Sequence, residues 1–140
     1  MRRSMTGFLA LVLALALSAA GCDSGDTVTT PTPTPTPERV TETFSGTLTI
    51  NGAVTFNFNT AAAGIVTATL KSLSPTGPNV GLALGTWNGV ICQVVLANDN
   101  TAVGTTVTGS VTGTGDLCVR VYDVGQLTAA VGFEIVVSHP

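Results

Sequence analysis

Ala53-Val54-Thr55-Phe56-Asn57-Phe58-Asn59 decides how the rest of the chain is read. Val54, Phe56 and Phe58 share one parity, and Thr55, Asn57 and Asn59 share the other. An extended strand, whose successive side chains point to opposite faces, sorts the two sets onto separate surfaces. The same period of two recurs along the chain. Val66, Ala68 and Leu70 alternate with Thr67, Thr69 and Lys71; Val80, Leu82 and Leu84 alternate with glycine and alanine; Val131, Phe133, Ile135 and Val137 enclose Glu134 and Val136. Val90–Leu96 and Leu117–Tyr122 are two further predicted strands. After residue 21 no window carries an apolar stripe of helical period bounded by caps. About eight strands separated by Gly, Pro, Asn and Asp predict an all-β antiparallel sandwich over residues 38–140. That span, about 100 residues, suits one domain and not two.

Asn51-Gly52 sits between Phe44–Ile50 and Ala53–Phe58 and predicts a hairpin. A two-residue turn would pair Ile50 with Ala53 and send the two apolar rows to opposite faces. A three-residue loop pairs Leu48 with Val54 and Phe44 with Phe58. Both rows then share a face, and Gly52 falls on a left-handed position. The second register is the expected one.

Upstream of the domain the composition changes. Met1-Arg2-Arg3 is positive, and the uncharged run Gly7–Leu17 is too short to span a bilayer, which needs roughly 20 apolar residues. Residues 1–21 therefore read as a secretory signal. They end in Ala19-Ala20-Gly21-Cys22, which resembles the lipobox of bacterial lipoproteins; Ala19 stands where leucine is usual. The resemblance implies cleavage before Cys22 and attachment of diacylglyceryl and further acyl (palmitate-type) chains there. Several chains on one residue anchor a protein stably, whereas one alone binds marginally. Residues 22–37 contain Thr30-Pro-Thr-Pro-Thr-Pro-Thr-Pro37, where every second residue lacks an amide and has a fixed φ. They read as a polyproline II spacer holding the domain on the order of 45 Å from the lipid. The expected location is a bacterial cell envelope, with the domain exposed to the periplasm or the exterior.

Charge and chemistry exclude several functions. Without Arg2 and Arg3, eight carboxylates face only Arg39, Lys71 and Arg120, so there is no electrostatic footprint for nucleic acid. The single histidine, His139, lies beside the C-terminal residue, and no Ser-His-Asp site, zinc spacing or phosphate loop is present. The glycines of Gly109-Ser-Val-Thr-Gly-Thr-Gly115 read as turns. The expectation is a non-enzymatic protein without a cofactor. With Cys22 assigned to lipid, Cys92 and Cys118 form an even pair in an exported domain and predict a disulfide. Closing that loop stabilises by roughly 3.5 kcal/mol on the chain-entropy model; the alternative is two buried free thiols. Asp99, within Asn98-Asp99-Asn100, and Asp116 and Asp123, flanking the Cys118 strand, are weak calcium candidates that serve equally as turn residues. Trp87 is a candidate aromatic for a glycan or, equally, a core residue.

Phe56-Asn-Phe58, the Gly64–Leu70 run, Gly115-Asp-Leu-Cys-Val-Arg-Val-Tyr122 and the closing Phe133-Glu-Ile-Val-Val137 together resemble the bacterial pre-peptidase C-terminal domain. Leu117 replaces its usual tyrosine, and its early acidic-aromatic motif is missing. The resemblance implies a jelly-roll β-sandwich that is a non-catalytic binding or folding module. The expected function is an envelope lipoprotein displaying a binding or adhesion module for a glycan or an envelope protein. A structural or assembly role is the alternative, and a calcium- or glycan-dependent accessory module of a secreted enzyme system is third.

Overall fold

A computed structural model describes residues 35–140; the leader, Cys22 and the linker up to residue 34 lie outside the described residues. Eight strands follow in order: β1 (Val40–Leu48), β2 (Ala53–Thr60), β3 (Gly64–Ser74), β4 (Val80–Trp87), β5 (Cys92–Thr101), β6 (Thr106–Val111), β7 (Gly115–Tyr122) and β8 (Val131–His139). They form two four-stranded sheets, ordered β1-β8-β3-β6 and β2-β7-β4-β5. The antiparallel pairs β1–β8, β2–β7, β3–β6 and β4–β5 are nested. One long hairpin with its tip between β4 and β5, rolled up so that successive strands along each arm fall on alternate sheets, has this pairing, which is a jelly roll. The expected sandwich and strand number are what the chain adopts.

The alternation seen in the sequence becomes the two inner faces. Val66, Ala68 and Leu70 meet Val119, Val121, Leu82 and Leu84 across the sandwich, and Phe133, Ile135 and Val137 of β8 are fully or nearly fully buried. Each such side chain contributes roughly 1.5–3 kcal/mol by leaving water. Phe44 of one sheet stacks on Phe56 of the other at 4.8 Å between ring centroids, and Phe56 meets Phe133 edge-on at 6.2 Å.

The expected hairpin at Asn51-Gly52 does not form. Leu48 pairs with Val131 and Phe44 with Ile135, whereas Val54 pairs with Val121 and Phe58 with Leu117. The turn is a corner between sheets. Both apolar rows do face one core, but from opposite walls, a solution that the parity of side chains cannot distinguish from a hairpin. The left-handed residue is Asn51 (φ 53°), not Gly52, and the Gly52 amide closes the turn on the Thr49 carbonyl at 2.9 Å. Asp123 clips the corner in both directions: its carboxylate accepts the Asn51 amide (2.8 Å), and its amide donates to the Gly52 carbonyl (2.9 Å).

β4 is buried on both faces, so its alternate residues must be small. A Cβ on Gly81 would lie 2.2 Å from the Tyr122 ring, and one on Gly85 would lie 2.2 Å from the backbone oxygen of Gln93. These glycines mark close approach. Gly109 likewise lies inside β6, opposite Val66, and corrects the reading of Gly109–Gly115 as turn alone; only its later part lies in the β6–β7 turn.

Candidate interaction site

The tip of the rolled hairpin is built locally. The Asn88 side-chain oxygen accepts the amides of Val90 (3.0 Å) and Ile91 (2.8 Å), its amide donates to the Ile91 carbonyl (3.3 Å), and Gly89 takes φ 92°. β5 then runs back along β4 as the edge of its sheet. Leu84 pairs with Leu96 but Gly85 with Val94, so Val95 is an extra residue, a bulge. Cys92 and Cys118 form the expected disulfide, with Cα atoms 5.7 Å apart. Cys118 is fully buried on the outer face of β7, because the start of β5 bends over Gly85 to reach it.

This tip and edge are unusually apolar. Of nine large apolar side chains that are more than a third exposed among the described residues, five lie in Val90–Leu96, led by Val90 (79%) and Val95 (69%). Beside them, between the edges β5 and β6, opens an apolar slot of about 130 Å³, with Val66, Leu84 and Leu117 at its base and Val95, Leu96 and Val111 around it. It exists partly because Gly109 has no side chain; a Cβ there would come 3.0 Å from Leu96 Cδ1. A second hollow of about 300 Å³, less apolar than the slot, adjoins it, sharing Thr86, Ser110, Val111 and Leu117. Threonine hydroxyls line that hollow, and Asp116 is its one charged residue. The same end of the sandwich carries the start of β1, since Val40 pairs with His139 and Pro140 accepts the Ala61 amide at 3.1 Å. There Arg39 donates to the Ser138 hydroxyl and to the carbonyls of Ser138 and Ile65, fastening the residue just before β1.

The other residues singled out from the sequence are dispersed. Asn98-Asp99-Asn100 is part of β5 and not a loop: the Asn98 side chain accepts the Asn100 amide at 2.9 Å, and the Tyr122 hydroxyl donates to Asp99. Burial, and then that bond, push Tyr122 up to about 12. Asp116 accepts from Asn59. Asp123 is held below the usual carboxylate range first by the Asn51 amide and also by the amides of Leu127, Gln126 and Gly125. The three aspartates do not converge, and no group of three or more His, Cys, Asp or Glu side chains is placed to hold a metal among the described residues. Trp87 is half-buried at the end of β4 and is not among the aromatics of the core, which are Phe44, Phe56, Phe58 and Phe133. His139 is buried against the Phe58 ring, with Nε2 2.9 Å from Glu42 Oε1.

No family model and no curated protein matches the chain. Among solved structures it is similar to Aeromonas hydrophila PliG, a periplasmic lysozyme inhibitor of g-type lysozyme, at TM-score 0.50 and 15% identity over 70% of this chain and 84% of that one. It is also matched to the disulfide-linked pilus protein of Bacillus endospore appendages at TM-score 0.33 and 15% identity, over 72% of this chain and 87% of that one. At such identity the first likeness shows a shared β-sandwich fold alone.

Proposed function

We propose that the protein is a non-catalytic lipoprotein of the bacterial envelope, anchored by acyl chains on Cys22, whose jelly roll binds another protein through the β5 edge. The observation that carries this reading is the concentration of exposed apolar side chains in Val90–Leu96, on a sheet edge stiffened by a disulfide. Monomeric domains rarely expose a contiguous apolar patch without a use for it. Kinship with pre-peptidase C-terminal modules belongs to the same proposal; the jelly-roll order and the closing β7–β8 run are what support it. The alternative, an assembly role, is favoured by the same open edge if it pairs with itself.

Two measurements on the full chain test the proposal. Radioactive palmitate labels the protein and the label disappears in Cys22→Ala; label that survives the substitution refutes the anchor. A photo-cross-linker at Val95, in living cells, captures a discrete protein that one at the exposed Thr43 on β1 does not. Capture of only the chain itself, with sedimentation showing an oligomer, favours the assembly role. The inhibitor whose fold is shared suggests a first partner to try: activity of a g-type lysozyme titrated with the protein.

A further inference from the structure

Resting on that reading, we infer that β5 and the slot beside it take an extended segment of the partner, which adds to β5 as a strand and inserts one bulky apolar side chain, with a lysine or arginine nearby. Three features of the site lead to this class of ligand. First, β5 is hydrogen-bonded to β4 along one side only, so alternate amides and carbonyls along its other side face outward. Edges are usually blunted by charge, proline or brevity. β1 carries Glu42 and follows Arg39, β6 has six residues, and β2 presents Thr55, Asn57 and Asn59 outward. From Val90 to Asn98 there is neither charge nor proline. Two bulges interrupt this edge, one at Val95 and one between Asn98 and Thr101; the first turns Val95 as well as Leu96 toward the slot.

Second, the slot has the capacity of a single side chain. An engineered cavity of about 150 Å³ lined by leucine, isoleucine and phenylalanine accepts benzene, so about 130 Å³ suits one aliphatic side chain the size of leucine. Strand addition obtains affinity from the backbone and selectivity from such pockets. A side chain on the inner face of a strand added to β5 would lie at the mouth between β5 and β6, where the slot opens.

Third, charge discriminates among occupants. Asp116 is the one ionised side chain lining the adjoining hollow, and no cation lines either cavity. Asp99, at the far end of the uncharged stretch, already accepts the Tyr122 hydroxyl, and Arg120 lies within electrostatic reach of that tyrosine. The carboxylate beside the slot therefore favours a basic flank on the incoming segment. It disfavours an anionic bilayer, and equally a second copy of this acidic chain.

The test uses the full chain in detergent and synthetic, end-blocked nine-residue peptides of alternating threonine and valine. Their central residue is leucine or alanine, and their ends are lysine or glutamate. The leucine peptide is expected to bind about tenfold or more tighter than the alanine peptide, from the apolar surface that leaves water. Lysine ends are expected to outperform glutamate ends by about threefold, a difference that Asp116→Asn and high salt both erase. Gly109→Val fills the slot and Val95→Lys charges the edge. Each weakens the leucine peptide by about tenfold or more while circular dichroism and melting show a folded domain. Equal affinity for the leucine and alanine peptides overturns the proposal, as does no binding of either. So does a Val95-dependent dimer in sedimentation, or binding of anionic vesicles by Cys22→Ala that Val95→Ser removes. Palmitate labelling and Val95 cross-linking that survive a negative peptide result leave the broader function standing and remove this inference alone.

Discussion

Asn51-Gly52 and Asn88-Gly89 are the same dipeptide, each set between two strand-forming runs, and the chain does opposite things at them. At Asn88-Gly89 it folds back into a true hairpin, β4 on β5, closed by Asn88's own side chain. At Asn51-Gly52 it crosses from one sheet to the other, and the corner is held by Asp123, 72 residues away in sequence. The first turn is a local object that a short peptide could rehearse. The second exists only when β7 and β8 have delivered the partners of β2 and β1. Turn chemistry licenses a reversal of direction; which surfaces lie on either side decides whether the two strands become neighbours or opposite walls.

The largest effect separating these regions should come from the covalent bond on the hairpin side. Cys92→Ser with Cys118→Ser is expected to cost about 3.5 kcal/mol in urea unfolding. A loss below about 1 kcal/mol would mean that the local bonds of the tip hold β5 in place unaided. On the corner side, Phe56→Ala is expected to cost about 3 kcal/mol. A double-mutant cycle with Phe44→Ala should show coupling of about 0.5–1.5 kcal/mol, because the rings stack across the sandwich. Additive losses would contradict facing walls.

Smaller changes address the two dipeptides themselves. Asn51→Val, forced into a left-handed φ, is expected to destabilise by about 1–2 kcal/mol in thermal unfolding, and Asn51→Gly to be close to neutral. The smallest effect is electrostatic, because the Asp123 carboxylate faces solvent. Its pKa is depressed in the folded state, so its contribution is present above the ordinary aspartate range and is lost as pH falls through the folded value. Asp123→Asn should therefore differ from the parent most at neutral pH, and the two melting temperatures should converge on acidification. A gap unchanged down to pH 2 would show that the corner does not depend on that charge.

Much of the architecture was legible because burial on a sheet imposes a local period of two. Strand content, the inward rows of β2, β3, β4 and β8 and the cysteine pair all follow from that pattern and from composition. The candidate site was less legible. Val90–Leu96 was recognisable as a strand, but nothing in its residues announced an edge, and the same run in the centre of a sheet would be buried. Trp87 looked equally suited to the core, which the phenylalanines fill. Gly109 read as a turn, although its role in β6 is to leave space under Leu96. The aspartates had the right ligand atoms, but each found another partner: Asp116 on the neighbouring β2, Asp123 in its own turn, and Asp99 through the Tyr122 ring, which reaches it across Gly81 of β4.

The sequence by itself determined that the chain makes short strands with one apolar face, that they must cover each other, and that Cys92 and Cys118 lie within such strands. Those are consequences of side-chain parity, chain length and residue chemistry, all of which act over a few residues. Only the tertiary structure decided that β1 seeks β8 and β2 seeks β7, that β4 is buried on both faces, and that β5 is left as an apolar edge beside an open slot. Those outcomes depend on pairing between distant segments, where every strand satisfies the same local rule and the choice of partner rests on the packing of the whole.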